Sequence, residues 1–490
     1  MLEGSDASVG GDVRPCCGET NRLRVGSLRA TGSDELRSCH HLILTEKVER
    51  EFLRFLRLCT SIQTLRFEGE YPFADLSPIP ELRSLGELSI EEAPKLENFV
   101  GIKNLPQLKA LEVAEAPIRG GCLQTLTAGC NLVKLCLDSC PYLKDVSPLA
   151  EMTALEHLAI CKCVGIETGI GSLGKLPALR ELYLIGTSMR GNSLRGLGAT
   201  TSLLNLCIVS CGCLTDVLHI ADVQVLRQLT LESCTSLEEG VGKLGGLPAL
   251  YELDLSYSSI VDVFLQGLSS SRSLVKLNLS WCDQLTDVSP LAELKTLKYL
   301  NLQSCEAVVA GIGDLGKLPG LYELDLSCTP ITDCALRDLC SSRSLVRLDI
   351  SSCDNLTDLS ALVSLKTLGE LNLDACTEVK QGIGNISQLP ELRRLDGTCL
   401  PITDDSLRDL SASRSLVVLC LDTCMDITDV SCLAAVKTLE EISLNSCLSV
   451  EKGVEALTTL PRLRSVNLRG VKIDSEVLSE LQARGVNLLR

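Results

Sequence analysis

The 490-residue chain carries 26 cysteines, and ten of them stand in two series with a fixed spacing of 71 residues. One series is Cys140, Cys211, Cys282, Cys353 and Cys424; the other is Cys163, Cys234, Cys305, Cys376 and Cys447. Thiols in such numbers can pair as disulfides, hold a metal, or lie buried as small apolar side chains with a weak donor. A regular ladder of ten fits no pairing scheme. Each falls where a short apolar alternation ends and the chain turns inward, so the expectation is reduced, buried thiols that meet backbone groups, in a reducing compartment. Near the N-terminus, Cys16, Cys17, Cys39, His40 and His41 could supply four zinc ligands, but adjacent ligands are poor metal geometry and no C-x-x-C occurs there. Three copies of G-x-G-x-x-G (Gly169/Gly171/Gly174, Gly240/Gly242/Gly245, Gly311/Gly313/Gly316) could cradle a dinucleotide phosphate. They lack the long crossover helix and the acidic residue some twenty positions on, and they recur with the same period, which predicts a tight structural turn. The four histidines (His40, His41, His157, His219) form no nucleophile–base arrangement. No catalytic residue, cofactor or metal site is assigned, and the enzyme reading has no constellation to support it.

That shared period comes from the elements. The motif L-P-x-L-x-x-L-x-L recurs with proline at Pro106, Pro177, Pro248, Pro319, Pro390 and Pro461, every interval being 71 residues. Each block divides into three units, opening for example at Leu250, Leu274 and Leu297, and about nineteen units run from Cys39 to a stub at 486–489. A unit reads L-x-x-L-x-L-x-x-(C/T/S)-x-x-(L/I/V), as in Leu274, Leu277, Leu279, Cys282 and Leu285. The L-x-L core is a short strand with one buried face, and the remaining residues must return the chain. One unit cannot bury its own leucines, so neighbours stack. This is the leucine-rich repeat signature. It predicts a right-handed α/β solenoid with one curved parallel sheet, an inner arc of roughly 90 Å at about 4.8 Å per strand, and helices or turns outside. The return should be helical over 331–339, limited by Pro290 to a turn or a short helical stretch in the next unit type, and a short helix or an irregular turn in the glycine-rich third. Residues 1–38 are expected to be a partly disordered leader and 39–490 the repeat domain, closed by a last helix over 474–484 and a short strand.

The formal net charge is −17. That disfavours nucleic acid and anionic membrane and favours a basic protein segment. Residues 1–11 show no basic or apolar signal-peptide region, and no 18-residue apolar stretch occurs. A cytoplasmic or nuclear monomer is expected.

The stretch Cys282 followed by Gln284-Leu285-Thr286-Asp287 resembles the cysteine-containing repeats of F-box-type substrate adaptors. The run Leu285-Thr-Asp-Val-Ser-Pro-Leu-Ala292 is also similar to internalin-type and phosphatase-regulator repeats. Taken in blocks of three, residues 39–485 look most like trypanosome leucine-rich repeat proteins of the expression-site-associated type. The resemblance implies a protein-interaction scaffold, with a substrate-recognition subunit of a ubiquitin ligase complex as the alternative. Some relatives carry an N-terminal RING or F-box. The few cysteines and histidines before the repeats do not supply the ligands of a RING, and Glu46–Cys59 reads as only one short helix.

A partner would meet the outward positions of the concave strand face. From the third block the middle residue of L-x-L is Asp254, Asn278, Asn301, Asp325, Asp349, Asn372 and Asp396, an acid and amide stripe. Beside it, Glu252 and Lys276, and Glu323 and Arg347, should form cross-strand ion pairs. Upstream the stripe is less polar (Cys136, Ala159, Tyr183, Cys207, Thr230). Trp281 is the chain's one tryptophan. Tyr257 holds its place one unit earlier, and Tyr299 lies on the next strand. The next block has Cys328, Ser352 and Glu370 at those three positions, so the aromatics are not demanded by the framework. The expected partner-binding patch is Asp254, Tyr257, Asn278, Trp281, Tyr299 and Asn301, three units contributing to one surface.

Overall fold

A computed structural model describes residues 22–25, 33–127, 129 and 131–489 of the chain. Residues 1–140 and 141–490 form two compact units.

In the first unit the strands are Arg22–Val25, His41–Leu44, Thr64–Phe67, Glu87–Ile90, Ala110–Ala114 and Lys134–Asp138. Each pairs in parallel with the next. The strand at Arg22–Val25 lies inside the stretch expected to be a leader, so the parallel array begins before residue 39. In register, Leu23 faces Leu42 and Val25 faces Leu44. Two apolar residues one apart were the only trace of this strand in the sequence, too little to distinguish it from a loop. Cys16 and Cys17 lie outside the described residues, as does most of that leader. Cys39 is buried, with its thiol donating to His41 O at 3.2 Å, while the exposed His41 ring meets Thr64 Oγ1 at 2.8 Å. The core here is aromatic where the later one is leucine. Tyr71 packs edge-on against Phe67 and Phe73, each at 5.2 Å between centroids. Its hydroxyl donates to Asp75 O at 2.9 Å, and burial pushes the phenol well up.

The second unit holds fifteen parallel strands among the described residues, from His157–Cys161 to Asn487–Leu489. From Gln228–Thr230 onward each is three residues long. Their central residues stand in register, as Leu253, Leu277, Leu300 and Leu324 do, all at most 2% exposed. A strand this short needs a reason to stop. Two residues past the second apolar strand residue the chain enters the left-handed region, as at Ser233, Tyr257, Trp281, Ser304, Cys328 and Ser352 (φ 54° to 59° for these six). That turns the chain inward and delivers the next side chain to the core. The α/β repeat solenoid and its parallel sheet are therefore as the periodicity predicts.

That next side chain is the ladder cysteine. All ten are fully buried. Cys282 Sγ donates to Leu255 O (3.3 Å), Cys305 to Leu279 O (3.1 Å), Cys353 to Leu326 O (3.2 Å), Cys376 to Ile350 O (3.0 Å) and Cys447 to Leu421 O (2.9 Å). Ser258 Oγ does the same for Leu231 O at 2.8 Å. For Leu255, Leu279, Ile350 and Leu421 the thiol is the one donor to that carbonyl among the described residues, and leaving such a buried acceptor unpaired would cost about 1–3 kcal/mol; Leu326 O also accepts from Thr329. Burial pushes Cys353 up to about 12 and Cys305 up to about 11, so little thiolate forms at neutral pH. Native thiol labelling is expected to modify exposed Cys213 and Cys334 first. Half-buried Cys136, Cys207 and Cys420 should follow, Cys207 slowly because burial pushes it up to about 12. Cys282 and Cys353 should react only on unfolding, and their ready native labelling would contradict the buried ladder.

The return segments take three forms. Asp333–Leu339 is an α-helix whose N-cap Thr332 accepts from Ala335 N. Ser289–Glu293 and Gly313–Lys317 are 3-10 turns, the former with proline in its first turn. The G-x-G-x-x-G glycines serve packing: a Cβ on Gly171 would run into Arg195 O, and one on Gly316 would lie 2.7 Å from Leu339 O. Between return segments, Asp333 Oδ1 accepts from the Thr357 and Asp358 amides (2.9 and 3.1 Å) while Oδ2 accepts the Thr357 hydroxyl (2.6 Å). Asp262 and Asp404 repeat this clamp on Thr286 and Thr428. Burial alone would push these carboxyls up; the hydrogen bonds outweigh it and hold them below the usual range. A depressed folded value stabilises above the unfolded value near 4 and is lost as pH falls through the folded one. Asp333→Asn should therefore lower the urea midpoint at pH 7, and the gap to the parent should close below about pH 4. A gap independent of pH would refute the clamp.

Candidate functional site

On the exposed strand face, the acid and amide stripe proves to be largely occupied with its own backbone. Asp254 Oδ1 accepts from Ser256 N (2.9 Å) and Ser256 Oγ (2.6 Å). Asn278 Oδ1 accepts from Ser280 N at 3.1 Å and Asn301 Oδ1 from Gln303 N at 2.8 Å. Asp325, Asp349, Asn372 and Asp396 each hold the amide two residues on in the same way. Along the stripe, Asn278 Nδ2 donates to Asp254 Oδ2 (3.1 Å) and Asn372 Nδ2 to Asp349 Oδ2 (2.7 Å). Short Asp and Asn side chains suit this because they can bond a backbone amide two residues on. The stripe closes the strand ends, and what it offers a partner is residual negative charge. Burial pushes Asp325 above the usual carboxylate range, with Asp349 on the next strand adding to it.

Of the aromatics, the structure brings two of the three together. Tyr257 and Trp281 stack with centroids 5.5 Å apart and planes 9° from parallel. They are 45% and 43% exposed, and both sit in the left-handed turn column. Tyr299 does not join them. It stands in register with Lys276 at the start of the strand, five residues before the level of Trp281, so the separation is up to about 16 Å at roughly 3.3 Å per residue. The single three-unit patch expected from the sequence is therefore two clusters at opposite strand ends. Spacing within a unit set the strand residues correctly, but it could not say that Trp281 lies beyond the strand in the turn.

The second cluster is an aromatic and ion-pair row. Tyr299 meets Tyr322 at 5.9 Å between centroids. Lys276 Nζ lies 5.6 Å from the Tyr299 centroid and 6.0 Å from that of Tyr251, and 3.8 Å from Glu252. Arg347 lies 5.7 Å from the Tyr322 centroid and pairs with both Glu323 and Glu370 at 3.2 Å. Both expected cross-strand pairs form, and the rings add a cation–π contact that the sequence reading did not include. Tyr251 and Tyr322, one position before the strand and one block apart, were the missed signal. Also missed was Glu232, which follows the second leucine of its strand where adjacent units carry Ser256, Ser280 and Gln303.

No family model matches the chain. A "Putative adenylate cyclase regulatory protein" of Trypanosoma equiperdum is 30% identical over 208 residues, covering 42% of this chain and 33% of that protein. The TMV resistance protein N of Nicotiana glutinosa is 22% identical over 332 residues, 66% of this chain and 28% of that one. The chain thus spans about a third or less of the length of these relatives. A solved TLR13-ssRNA13 complex is similar with a TM-score of 0.57 at 18% identity, covering 91% of this chain and 68% of that chain. The chain is a solenoid of the leucine-rich-repeat type, distantly related to plant disease-resistance proteins.

Proposed function

We propose that the chain is a binding scaffold rather than an enzyme and holds a protein partner on the exposed strand face around Tyr257 and Trp281. The stacked pair carries this reading. Most units fill the left-handed column with Ser, Thr, Cys, Ala or Gly. A bulky side chain there costs on the order of 1–3 kcal/mol, and rings that remain more than 40% exposed recover only part of that by burial. Large exposed aromatics on a rigid sheet are the residues that dominate binding energy once a partner covers them. The net charge of −17 favours a basic partner.

The trypanosome relative supports grouping the array with the trypanosome repeat proteins that its blocks of three resemble. The reduced ladder favours the cytoplasm or nucleus. A ubiquitin-ligase substrate-recognition role would use the same face and rests on the likeness of the repeats alone.

The test uses two cysteines six residues apart on opposite sides of one unit. Cys328 lies in the Tyr257–Trp281 column, and Cys334 is exposed on the return helix. A partner identified by crosslinking should slow labelling of Cys328 and leave Cys334 unchanged. The reverse pattern would put the contact on the return side.

A further inference from the structure

Resting on the reading that this face binds protein, we propose that Tyr257, Trp281, Glu232 and Asp254 form a receiving site for an arginine side chain of the partner. The guanidinium would lie against the tyrosine face that the tryptophan leaves uncovered, with the two carboxylates beside it.

The two parallel rings form one slab spanning two units. Its neighbours in the same column are Ser233 on one side and Ser304 on the other, too small to cover the outer ring faces. Glu232 lies on the Ser233 side. Ser233 N donates to Ser256 O at 2.9 Å and Leu231 N to Asp254 O at 2.8 Å, which sets Glu232 alongside Ser256, next to Tyr257 and Asp254. Among the described residues Glu232 has neither an ion pair nor a side-chain hydrogen bond. Its carboxyl is pushed above the usual range first by burial and then by Asp254. The site thus presents an open aromatic face with an uncompensated, half-buried negative charge next to it.

The other end of the same face shows what completes such an arrangement. There the chain supplies its own cation: Arg347 lies over the Tyr322 ring and pairs with Glu323 and Glu370, and Lys276 lies over Tyr299 near Glu252. Among the described residues no lysine or arginine lies over Tyr257 or Trp281. An incoming cation would restore the same combination of ring and carboxylate. Arginine fits better than lysine because its planar, weakly hydrated guanidinium stacks on a ring while its edge still bonds a carboxylate. An apolar anchor would bury the Glu232 charge without compensation.

Trp281 is the only tryptophan, so its fluorescence reports this site alone. The intact protein should be titrated with blocked tetra-arginine, tetra-lysine and tetraglycine peptides. The expected result is a saturable change with tetra-arginine, weaker binding of tetra-lysine by about two- to fivefold, and no response to tetraglycine. Glu232→Gln should weaken tetra-arginine by about two- to fivefold. Glu391→Gln, which removes the same charge at an exposed site several units away, should leave it unchanged. Tyr257→Ser should abolish the preference for arginine while melting as the parent does. Equal weakening by Glu232→Gln and Glu391→Gln, or no preference for arginine over lysine, would overturn the site. If the arginine site fails while Trp281→Ala still weakens the partner complex, the binding face stands and only the arginine assignment falls.

Discussion

Trp281→Ala should weaken the complex with a partner of the strand face by roughly 30-fold or more, because a buried aromatic anchor contributes about 2 kcal/mol or more at an interface. The free protein should melt nearly as before. Two effects on folding oppose each other: alanine loses the stack with Tyr257, of about 0.5–1.5 kcal/mol, and removes a bulky residue from the left-handed turn at φ 59°. Since Trp281 is 43% exposed, little core packing is lost with it. The control is Lys317→Ala, on a glycine-rich return turn where Lys317 pairs with Asp314 at 2.5 Å. Affinity and melting temperature measured for both variants separate the outcomes. Unchanged affinity for Trp281→Ala moves the site elsewhere, and an unfolded variant returns the tryptophan to a packing role.

The largest effect on stability belongs to the framework leucines. Leu300→Ala should cost about 2–5 kcal/mol, from lost burial plus the cavity left behind. Leu300 is 2% exposed and stands in register between Leu277 and Leu324, so the cavity opens in the middle of a continuous row. Because each unit touches only its neighbours, the same change near an end damages fewer interfaces. From the sequence, Leu65 looks like such an end position. In the structure two strands precede it and the buried Phe67 and Tyr71 reinforce it, so it is a weaker contrast than the sequence suggests. Leu488, half-buried in the last strand Asn487–Leu489, is the better comparison and should cost well under 2 kcal/mol. Hydrogen exchange should show strong protection around Leu300 and fraying around Leu488. Equal protection at both would contradict the one-dimensional array.

The sequence by itself determined the strand register, the ladder and the helical return of one unit type, and left the other two return segments open between a turn and a short helix. A 71-residue period with fixed apolar positions leaves one way to bury Leu253, Leu277 and Leu300 together, and burial of the following cysteine is then forced. Even the helix was legible in outline over 331–339, with Thr332 or Asp333 able to cap it, because capping and helical periodicity are local; the structure chose Thr332. Only the tertiary structure decided the rest, for two physical reasons. Backbone conformation at one residue is set by how the whole unit turns, so nothing in the letters Tyr257 and Trp281 revealed a left-handed turn that stacks them and parts them from Tyr299. Partners of polar groups lie across strands or two residues along, so an acid and amide stripe that reads as a binding surface turns out to hold its own amides. Glu232, which has no side-chain partner among the described residues, lies where the sequence reading placed no site residue.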